Sequence, residues 1–210
     1  MGLNLPKIYP ITDTRLTKLS HTAQVEKLID GGALIIQLRE KYASPKEFYD
    51  DAKTAIEIAR QNSVKIIIND RVDIALALEA DGVHLGQDDL PPAEARRILG
   101  ENAIIGFSTH SIEQAISAAQ LPIDYAAIGP VFATATKENP DETVGIEGVR
   151  RVREAIRDFP LVAIGGIGAE NFREVFQAGA DSVAVIKSLL FPPDKIAENL
   201  RFFQSFRPNS

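Results

Sequence analysis

The most informative stretch of the sequence is Val64–Pro91, in which two short apolar segments flank a segment of helical periodicity. Residues 65–68, Lys-Ile-Ile-Ile, leave no room for a polar face, which is typical of a strand buried on both sides in a parallel sheet. This segment ends near Asp70, and the second apolar segment ends near Asp89. Because a helical crossover makes successive strands parallel, we expect both carboxylates to emerge at the same end of the sheet.

The rest of the chain repeats this strand-and-helix unit. The pattern predicts further strands at 7–13, 33–41, 81–85, 103–108, 124–129, 161–164 and 182–186. It predicts helices at 22–30, 45–61, 72–78, 145–157, 169–177 and 193–206, and two more that begin at 91 and at 111. Eight such units indicate one α/β domain over residues 1–210, a (β/α)₈ TIM barrel with its active site at the C-terminal ends of the strands. A doubly wound open sheet is the weaker alternative, because no G-x-G-x-x-G follows the first strand.

A repeated sequence feature supports this count of eight βα units. Asp81, Asp124 and Asp181 each stand at the start of a predicted strand, roughly two units apart along the chain. The longer of the two intervals contains the longest irregular stretch of the sequence, residues 130–144. The recurrence is therefore consistent with a repeated βα architecture.

Composition narrows the class of protein. Hydrophobic residues make up 45% of the 210 positions, which is enough for a sizeable core, and no apolar run approaches the ~20 residues that span a bilayer. The sequence contains no cysteine and shows no signal peptide, so it predicts a cytoplasmic protein without disulfides. A net charge of −6 argues against nucleic acid or a membrane surface as the partner, and a homo-oligomer stays open.

Polar side chains or glycines follow nearly every predicted strand. They are Gln37, Arg39, Lys41, Asn69, Asp70, Asp89, Ser108, Thr134, Thr136, Lys137, Gly165, Gly166 and Lys187, with Ile186 beside the last. Cations, carboxylates, hydroxyls and accessible backbone amides at one end of a barrel describe a site for phosphorylated ligands. Asp70 and Asp89 offer oxygen ligands, which suit Mg²⁺. The stretch 130–144 is expected to be a lid over this site.

Several of these residues also have an interpretation without function. Asp70 can cap the helix that follows it, Asp89 can belong to a turn, and Lys137 can be a solvated loop charge. His84 lies inside a strand and is expected to be a hydrogen-bonded core residue, while His21 is expected at the surface. The functional interpretation is favoured because polar residues recur at the same end of nearly every strand, which helix capping does not explain.

Nine short segments occur in an order that is highly specific. They are YPITD at 9–13, QLREK at 37–41, NDR at 69–71, GVHLGQDD at 82–89, GFS at 106–108, GPVF at 129–132, TATK at 134–137, VG at 144–145 and AIGGI at 163–167. In this order they resemble the thiamine-phosphate synthase family over nearly the whole chain. That family joins hydroxymethylpyrimidine pyrophosphate to a thiazole phosphate and releases pyrophosphate, with Mg²⁺ required. The resemblance implies a Mg²⁺-dependent transferase of thiamine biosynthesis that acts on small phosphorylated substrates.

The resemblance also implies roles for individual positions. The pyrimidine pyrophosphate would be held by Gln37, Arg39, Lys41, Asn69, Ser108 and Lys137, and Mg²⁺ by Asp70 and Asp89. The thiazole phosphate would be held by Thr134, Thr136, Gly166, Ile186 and Lys187. Leu38, Glu40 and Ala135 are further expected substrate-binding positions. The residues expected to act in catalysis are Arg39, Lys41, Ser108 and Lys137. The implied mechanism is dissociative: pyrophosphate leaves first, and the thiazole nitrogen captures a pyrimidine-methyl cation.

Three alternatives to a synthase stay open. The related thiazole tautomerases share the barrel but carry a catalytic His where this chain has Pro130. A Schiff-base aldolase would use a strand-end lysine such as Lys137 as its nucleophile. A non-catalytic protein would bind thiazole phosphate without turnover.

The chain departs from the family pattern at one position. After the eighth strand the family usually has Ser, whereas this sequence has Lys187 followed by Ser188. We expect the Lys187 ammonium to turn inward, because a charge-assisted hydrogen bond to phosphate is stronger than one from a neutral hydroxyl.

Overall fold

Eight parallel strands close into a barrel in the computed structural model, which describes residues 5–134 and 142–206. The strands are β1 (Ile8–Pro10), β2 (Ile35–Leu38), β3 (Lys65–Asn69), β4 (Gly82–Leu85), β5 (Ile104–Thr109), β6 (Tyr125–Ile128), β7 (Leu161–Ile164) and β8 (Ser182–Val185). Strands β2 to β8 pair in chain order, and β8 pairs with β1. A bridge between Ile11 and Gln37 completes the ring between β1 and β2. The predicted (β/α)₈ barrel is therefore confirmed.

Helices follow the strands as the periodicity predicts. They are α1 (Thr14–Thr17), α2 (His21–Asp30), α3 (Pro45–Gln61), α4 (Val72–Ala77), α5 (Pro92–Leu99), α6 (Ile112–Ala118), α7 (Gly145–Ile156), α8 (Phe172–Gln177), α9 (Lys187–Leu190) and α10 (Ile196–Gln204), the last preceded by a 3₁₀ turn at Pro193–Lys195. The one-turn helices α1 and α9 were not predicted, because four residues are too few to show a helical repeat. Helix α8 begins later than residue 169, because the Asn171 side chain accepts a hydrogen bond from the Gly168 N–H and closes a turn there.

Strand side chains alternate between two apolar layers. Ile67 belongs to a cluster inside the barrel, whereas Ile66 and Ile68 belong to the larger cluster between the strands and the helices. The inner cluster takes one or two residues from most strands: Tyr9, Ile11, Ile35, Ile67, Ile104, Tyr125, Ala127, Val162 and Ala184. Both faces of each strand are thus buried, which explains why the strands read as continuous apolar runs.

The repeated aspartates hold the amino-terminal ends of the strands together. The carboxylate of Asp81 accepts a hydrogen bond from the Ile66 N–H at 2.8 Å, and that of Asp124 accepts one from the Ile105 N–H at 2.7 Å. Asp181 does the same for the Leu161 N–H at 2.9 Å. Each aspartate therefore fixes the start of the preceding odd-numbered strand, at the end of the barrel opposite the predicted site.

Two of these aspartates also bind an arginine from a neighbouring helix. Arg96 of α5 donates to the Asp124 carboxylate at 2.8 Å and to the Ala103 carbonyl at 2.6 Å. Arg153 of α7 repeats the arrangement with Asp181 and several carbonyls. These arginines join a helix end to the strand that precedes the aspartate. The aspartates that recur along the sequence therefore mark a repeated structural element.

We expect Asp124→Ala to lower the free energy of unfolding by about 1–3 kcal/mol, because Arg96 and the Ile105 N–H both lose an acceptor. Partial exposure of the pair places the loss toward the lower part of that range. Urea denaturation at neutral pH measures the effect. Asp50→Ala is the matched control, since Asp50 pairs with Lys46 on the exposed face of α3 and should unfold close to the parent. Equal losses in the two variants would contradict a structural role for Asp124.

Candidate active site

A cavity of about 1240 Å³ opens at the C-terminal ends of the strands. Most of the sequence-predicted site residues in the described part of the chain line it: Gln37, Arg39, Lys41, Asn69, Asp70, Asp89, Ser108, Thr134, Gly166, Ile186 and Lys187. They come from β2, β3, β4, β5, β6, β7 and β8 or the loops that follow, so closure of the barrel brings residues far apart in sequence to one mouth.

Two predicted residues do not line this cavity. Leu38 is fully buried in the layer beneath the helices, because it follows Gln37 in β2 and therefore points to the opposite face. The Glu40 carboxylate turns away from the barrel and lines a separate surface pocket. The predicted residues Ala135, Thr136 and Lys137, and with them residues 135–141 of the predicted lid, lie outside the described residues.

Cations from the end of β2 face the cavity. Strand β2 ends at Leu38, yet the alternation continues far enough to place Arg39 and Lys41 on the same side as Gln37. The Arg39 guanidinium lies 3.8 Å from the Asp13 carboxylate, and the Lys41 ammonium forms an ion pair with Asp70. Each of these cations thus lies beside a carboxylate, and both are available to a ligand at this side of the cavity.

Asp70 is placed by an unusual backbone conformation. Its φ of 62° lies in the left-handed region, which few residues other than glycine adopt, and its N–H donates to the His84 carbonyl at 2.8 Å. Helix α4 has no side-chain cap, so the interpretation of Asp70 as a helix cap is not supported. The conformation instead directs the carboxylate toward Lys41 at the cavity.

Asp89 lies close to Asp70 across the end of β4. One oxygen of Asp89 accepts a hydrogen bond from the Gly86 N–H at 2.7 Å, as expected of a turn residue. Burial raises the pKa of Asp89, and the Asp70 carboxylate beside it raises that pKa further. A cation between them would relieve that repulsion.

The donor set fits Mg²⁺ in its usual manner of binding. Among residues 5–134 and 142–206, no group of three or more His, Cys, Asp or Glu side chains could hold a metal. Mg²⁺ commonly uses only one or two carboxylates and completes its coordination with water and substrate phosphate oxygens. Asp70 and Asp89 provide two such carboxylates, with room beside them in the cavity.

A hydrogen-bonded network crosses the floor of the cavity. The hydroxyls of Tyr9 and Tyr125 lie 2.9 Å apart, and the Tyr125 hydroxyl lies 3.0 Å from His84 Nδ1. His84 Nε2 lies 2.9 Å from the Ser108 hydroxyl. The prediction of a satisfied core histidine is therefore confirmed, but His84 also lines the cavity and orients a predicted site residue.

Burial keeps the groups of this network uncharged near neutral pH. It raises the pKa of Tyr9 to about 12, lowers the pKa of His84 to about 4, and raises the pKa of Tyr125 well above its ordinary value. Sequence reasoning missed the two tyrosines, because a tyrosine in an apolar strand reads as core. The glycine in β5 was the available sequence signal, because a glycine inside a strand marks a place where a neighbouring group approaches the backbone closely. A Cβ on Gly106 would come within 2.5 Å of His84 Nδ1 and still closer to the Tyr125 ring.

Asn69 lines the same cavity and has an unused hydrogen-bond donor. Its side chain is 7% exposed, and its amide nitrogen has no hydrogen-bond partner within the described residues. A buried amide of this kind costs stability unless a ligand or water accepts its proton. Its position in the cavity lining therefore supports the prediction that it binds a ligand.

The opposite side of the cavity is formed by glycine backbone. Gly165 and Gly166 have φ values of 101° and 63°, and a Cβ on Gly166 would lie 2.6 Å from the Ala133 carbonyl oxygen. Only glycine permits this close passage of β7 past the segment that follows β6. Lys187, at the start of α9, is exposed and lines the same side.

Comparison with known proteins agrees with this geometry. The family model described as thiamine monophosphate synthase matches residues 8–189. The chain belongs to the thiamine monophosphate synthase family. A thiamine-phosphate synthase of Chloroflexus aurantiacus is 42% identical over 91% of this chain and 88% of its own length, and one of Koribacter versatilis is 43% identical over 97% and 99%.

A solved structure supports the same assignment. Thiamine phosphate pyrophosphorylase from Pyrococcus furiosus superposes with a TM-score of 0.84 at 39% identity, covering 95% of this chain and 94% of that one. The predicted family and the predicted synthase function are confirmed, so the protein is a transferase and the tautomerase alternative is not favoured. Within the described part of the chain, no helix combines the length and the apolar character needed to cross a membrane.

We expect Tyr125→Phe to reduce the free energy of unfolding by about 1–3 kcal/mol, because the buried Tyr9 hydroxyl and His84 Nδ1 each lose a partner. Denaturant titration with circular dichroism measures this loss. Tyr49→Phe serves as the control, since the Tyr49 ring packs against the core from α3, outside this network. A Tyr125 variant as stable as the Tyr49 variant would mean that the network contributes nothing to folding.

Proposed function

We propose that this synthase joins hydroxymethylpyrimidine pyrophosphate to thiazole phosphate, with Asp70 and Asp89 holding Mg²⁺ beside the departing pyrophosphate. The observation that supports this proposal is the division of one cavity into two sides that both suit anions. Lys41, Arg39 and the carboxylate pair line one side, while glycine backbone and Lys187 line the other. Two phosphorylated substrates would place their anionic groups at these two sides, with their reacting atoms between them.

On the pyrophosphate side, the side chains stabilise charge as it develops. Lys41 is already beside Asp70, so a small rotation of its flexible chain would bring the ammonium to a phosphate oxygen. Arg39 offers a planar fork that suits phosphate oxygens. Mg²⁺ held by Asp70 and Asp89 would neutralise further negative charge on the leaving group. Ser108 and Asn69 add hydrogen-bond donors at the cavity floor.

The proposed chemistry needs no general base. The carbon–oxygen bond to pyrophosphate breaks with its electron pair on the leaving group, and the thiazole nitrogen then donates its lone pair to the pyrimidine-methyl carbon. The protein contributes orientation of the two substrates, electrostatic stabilisation and exclusion of water. In the floor, both His84 ring nitrogens and the tyrosine hydroxyls are engaged in hydrogen bonds with one another or with Ser108, which keeps them from reacting with the cation.

Thiazole phosphate would bind where β7 and β8 end. The backbone turns at Gly165 and Gly166, and the first N–H groups of a helix such as α9 lack acceptors within that helix. Lys187 would add a full positive charge there. The cytoplasmic location, the absence of nucleic acid and membrane partners, and a homo-oligomeric state stay predictions from the sequence.

The direct test is pyrophosphate release by the purified protein with both substrates and Mg²⁺. We expect sustained release only when both substrates are present, with thiamine phosphate formed in equal amount. Binding of thiazole phosphate without release would favour the non-catalytic alternative. Borohydride trapping of a carbonyl substrate on lysine would favour the aldolase alternative, because a synthase forms no Schiff base.

Asp70→Asn and Asp89→Asn should each reduce turnover by at least about 100-fold, because each removes a carboxylate that Mg²⁺ needs beside the leaving group. The circular dichroism spectrum should not change. Asp73→Asn is the control, since Asp73 is exposed and pairs only with Arg71 among the described residues. Turnover near the parent level in either site variant at moderate Mg²⁺ would rule out a shared metal site.

Lys187→Ser should raise KM for thiazole phosphate about 10-fold, with little change in KM for the pyrimidine pyrophosphate. The reason is loss of a charge-assisted hydrogen bond worth roughly 1.5–3 kcal/mol, partly replaced by a weaker neutral one. Added salt should narrow the difference between the variant and the parent. Lys195→Ser, on the exposed 3₁₀ turn, controls for loss of one positive charge. Equal KM values at low ionic strength would show that Lys187 does not reach the phosphate.

A further inference from the structure

A buried histidine–glutamate pair lies outside the barrel, beside the loop that follows β2. We call residues 39–43 the β2 loop; it carries Arg39 and Lys41 into the cavity. Behind it lies a second pocket of about 420 Å³, whose lining includes His21 of α2 and the Glu40 carboxylate. The His21 side chain is 1% exposed, so the expectation that His21 lies at the surface is wrong. The reason is that the first turn of α2 packs against the β2 loop and against Phe48 of α3.

Glu40 fixes the backbone of the β2 loop. One of its carboxylate oxygens accepts hydrogen bonds from the N–H groups of Lys41, Tyr42 and Ala43, at 2.8, 2.7 and 3.1 Å. The other oxygen accepts from the Thr14 hydroxyl at 2.9 Å. Burial alone would raise the pKa of Glu40, but the backbone and Thr14 hydrogen bonds outweigh it and lower the pKa, so the group is ionised near neutral pH.

The His21 ring connects this carboxylate to the backbone of Arg39. Its Nδ1 lies 2.7 Å from the Thr12 hydroxyl oxygen, which accepts a hydrogen bond from the Arg39 N–H at 3.2 Å. Its Nε2 lies 3.4 Å from the second carboxylate oxygen of Glu40 and makes no hydrogen bond within the described residues, so Glu40 contacts the ring by proximity and charge. One buried ring therefore contacts Glu40 directly and is linked to the Arg39 backbone through the Thr12 hydroxyl.

The groups at the two ends of this chain of contacts decide which atom donates at each step. The Arg39 N–H can only donate, and the ionised Glu40 can only accept. A ring nitrogen that faces a carboxylate carries the proton, so in the neutral ring Nδ1 is the acceptor. The Thr12 hydroxyl then donates to Nδ1 at 2.7 Å in preference to the Gln37 carbonyl at 3.3 Å.

The ring is neutral because of its surroundings. Burial lowers the pKa of His21 despite the opposing effects of three carboxylates that face it, those of Asp51 on α3, Glu40 in the β2 loop and Asp13 before α1. The Asp51 carboxylate accepts from the N–H groups of His21 and Thr22 and so anchors the start of α2. The ring is thus held by the backbone N–H of its own residue, by the hydrogen bond at Nδ1 and by the contact of Nε2 with Glu40.

We propose that His21 and Glu40 are positioning residues that hold the β2 loop in the one shape that presents Arg39 and Lys41 to the pyrophosphate. The inference rests on the proposed function, because it assigns the loop to the leaving-group side of that reaction. Neither residue contacts the cavity, and both act through the loop backbone. A misplacement of a charged group by about 1 Å can cost roughly 100-fold in rate, so such support has a large effect on kcat.

Two substitutions of His21 separate its two contacts. His21→Gln places an amide nitrogen near the position of Nε2 and keeps a donor for Glu40. His21→Asn places its amide near Nδ1 and loses the Glu40 contact. We expect kcat for pyrophosphate release to fall about 10- to 100-fold in His21→Asn and Glu40→Ala, and by less than about 5-fold in His21→Gln, with KM for thiazole phosphate unchanged in all three.

Hydrogen–deuterium exchange provides a readout independent of turnover. The amides of residues 41–43 should exchange faster in Glu40→Ala and His21→Asn than in the parent, and His21→Gln should restore protection. The control is Ser44→Ala, which removes the N-cap of α3 directly after the loop while leaving Glu40 intact. It should cost about 1 kcal/mol in stability and less than about 3-fold in kcat.

The possible outcomes distinguish this inference from the proposed function. If the parent releases pyrophosphate and His21→Asn matches it in both kcat and exchange, the positioning role is wrong. If Ser44→Ala loses as much kcat as His21→Asn, the loss reflects general destabilisation and the inference also fails. If the parent releases no pyrophosphate, the proposed function fails. In that case, faster amide exchange in His21→Asn and Glu40→Ala, with protection restored in His21→Gln, would still support the role of His21 and Glu40 in holding the β2 loop.

Discussion

Closure of the barrel between β1 and β2 is the constraint on which the site depends. The Thr12 N–H donates to the Gln37 carbonyl at 2.9 Å, and Ile11 pairs with Gln37, so the two ends of the sheet meet without leaving an open edge. The same junction places Thr12 beside His21 and the Arg39 backbone. The contact that completes the ring therefore also sets the position from which the main cations enter the cavity.

Charge within the cavity is balanced locally. Lys41 partly neutralises Asp70, and Asp70 in turn disfavours ionisation of Asp89. Beneath these groups, the tyrosine and histidine floor is polar but uncharged near neutral pH. This arrangement gives an acidic protein a small region that accepts anions. Because the floor residues are uncharged near neutral pH, they add no charge to the interior of the barrel.

The sequence was sufficient to predict the barrel and most of the cavity lining, because strand burial and the polar strand ends follow directly from short-range patterns. Gln37, Asn69, Asp70, Asp89 and Ser108 line one cavity as expected. Leu38 and Glu40 were included as members of a continuous segment, and alternation of side chains turns them away. His21 was expected at the surface but is buried. Its burial depends on contacts with α3 and the β2 loop, which are distant in sequence and leave no local pattern.

The aspartates at the starts of β4, β6 and β8 have a further consequence for how this chain can change. They hold the strands at the end of the barrel remote from the cavity, so the groups that maintain the fold and the groups that meet substrate occupy opposite ends of the same strands. Substitutions at the mouth leave these bonds in place. Such separation lets residues at the mouth change without first acquiring compensating stability elsewhere.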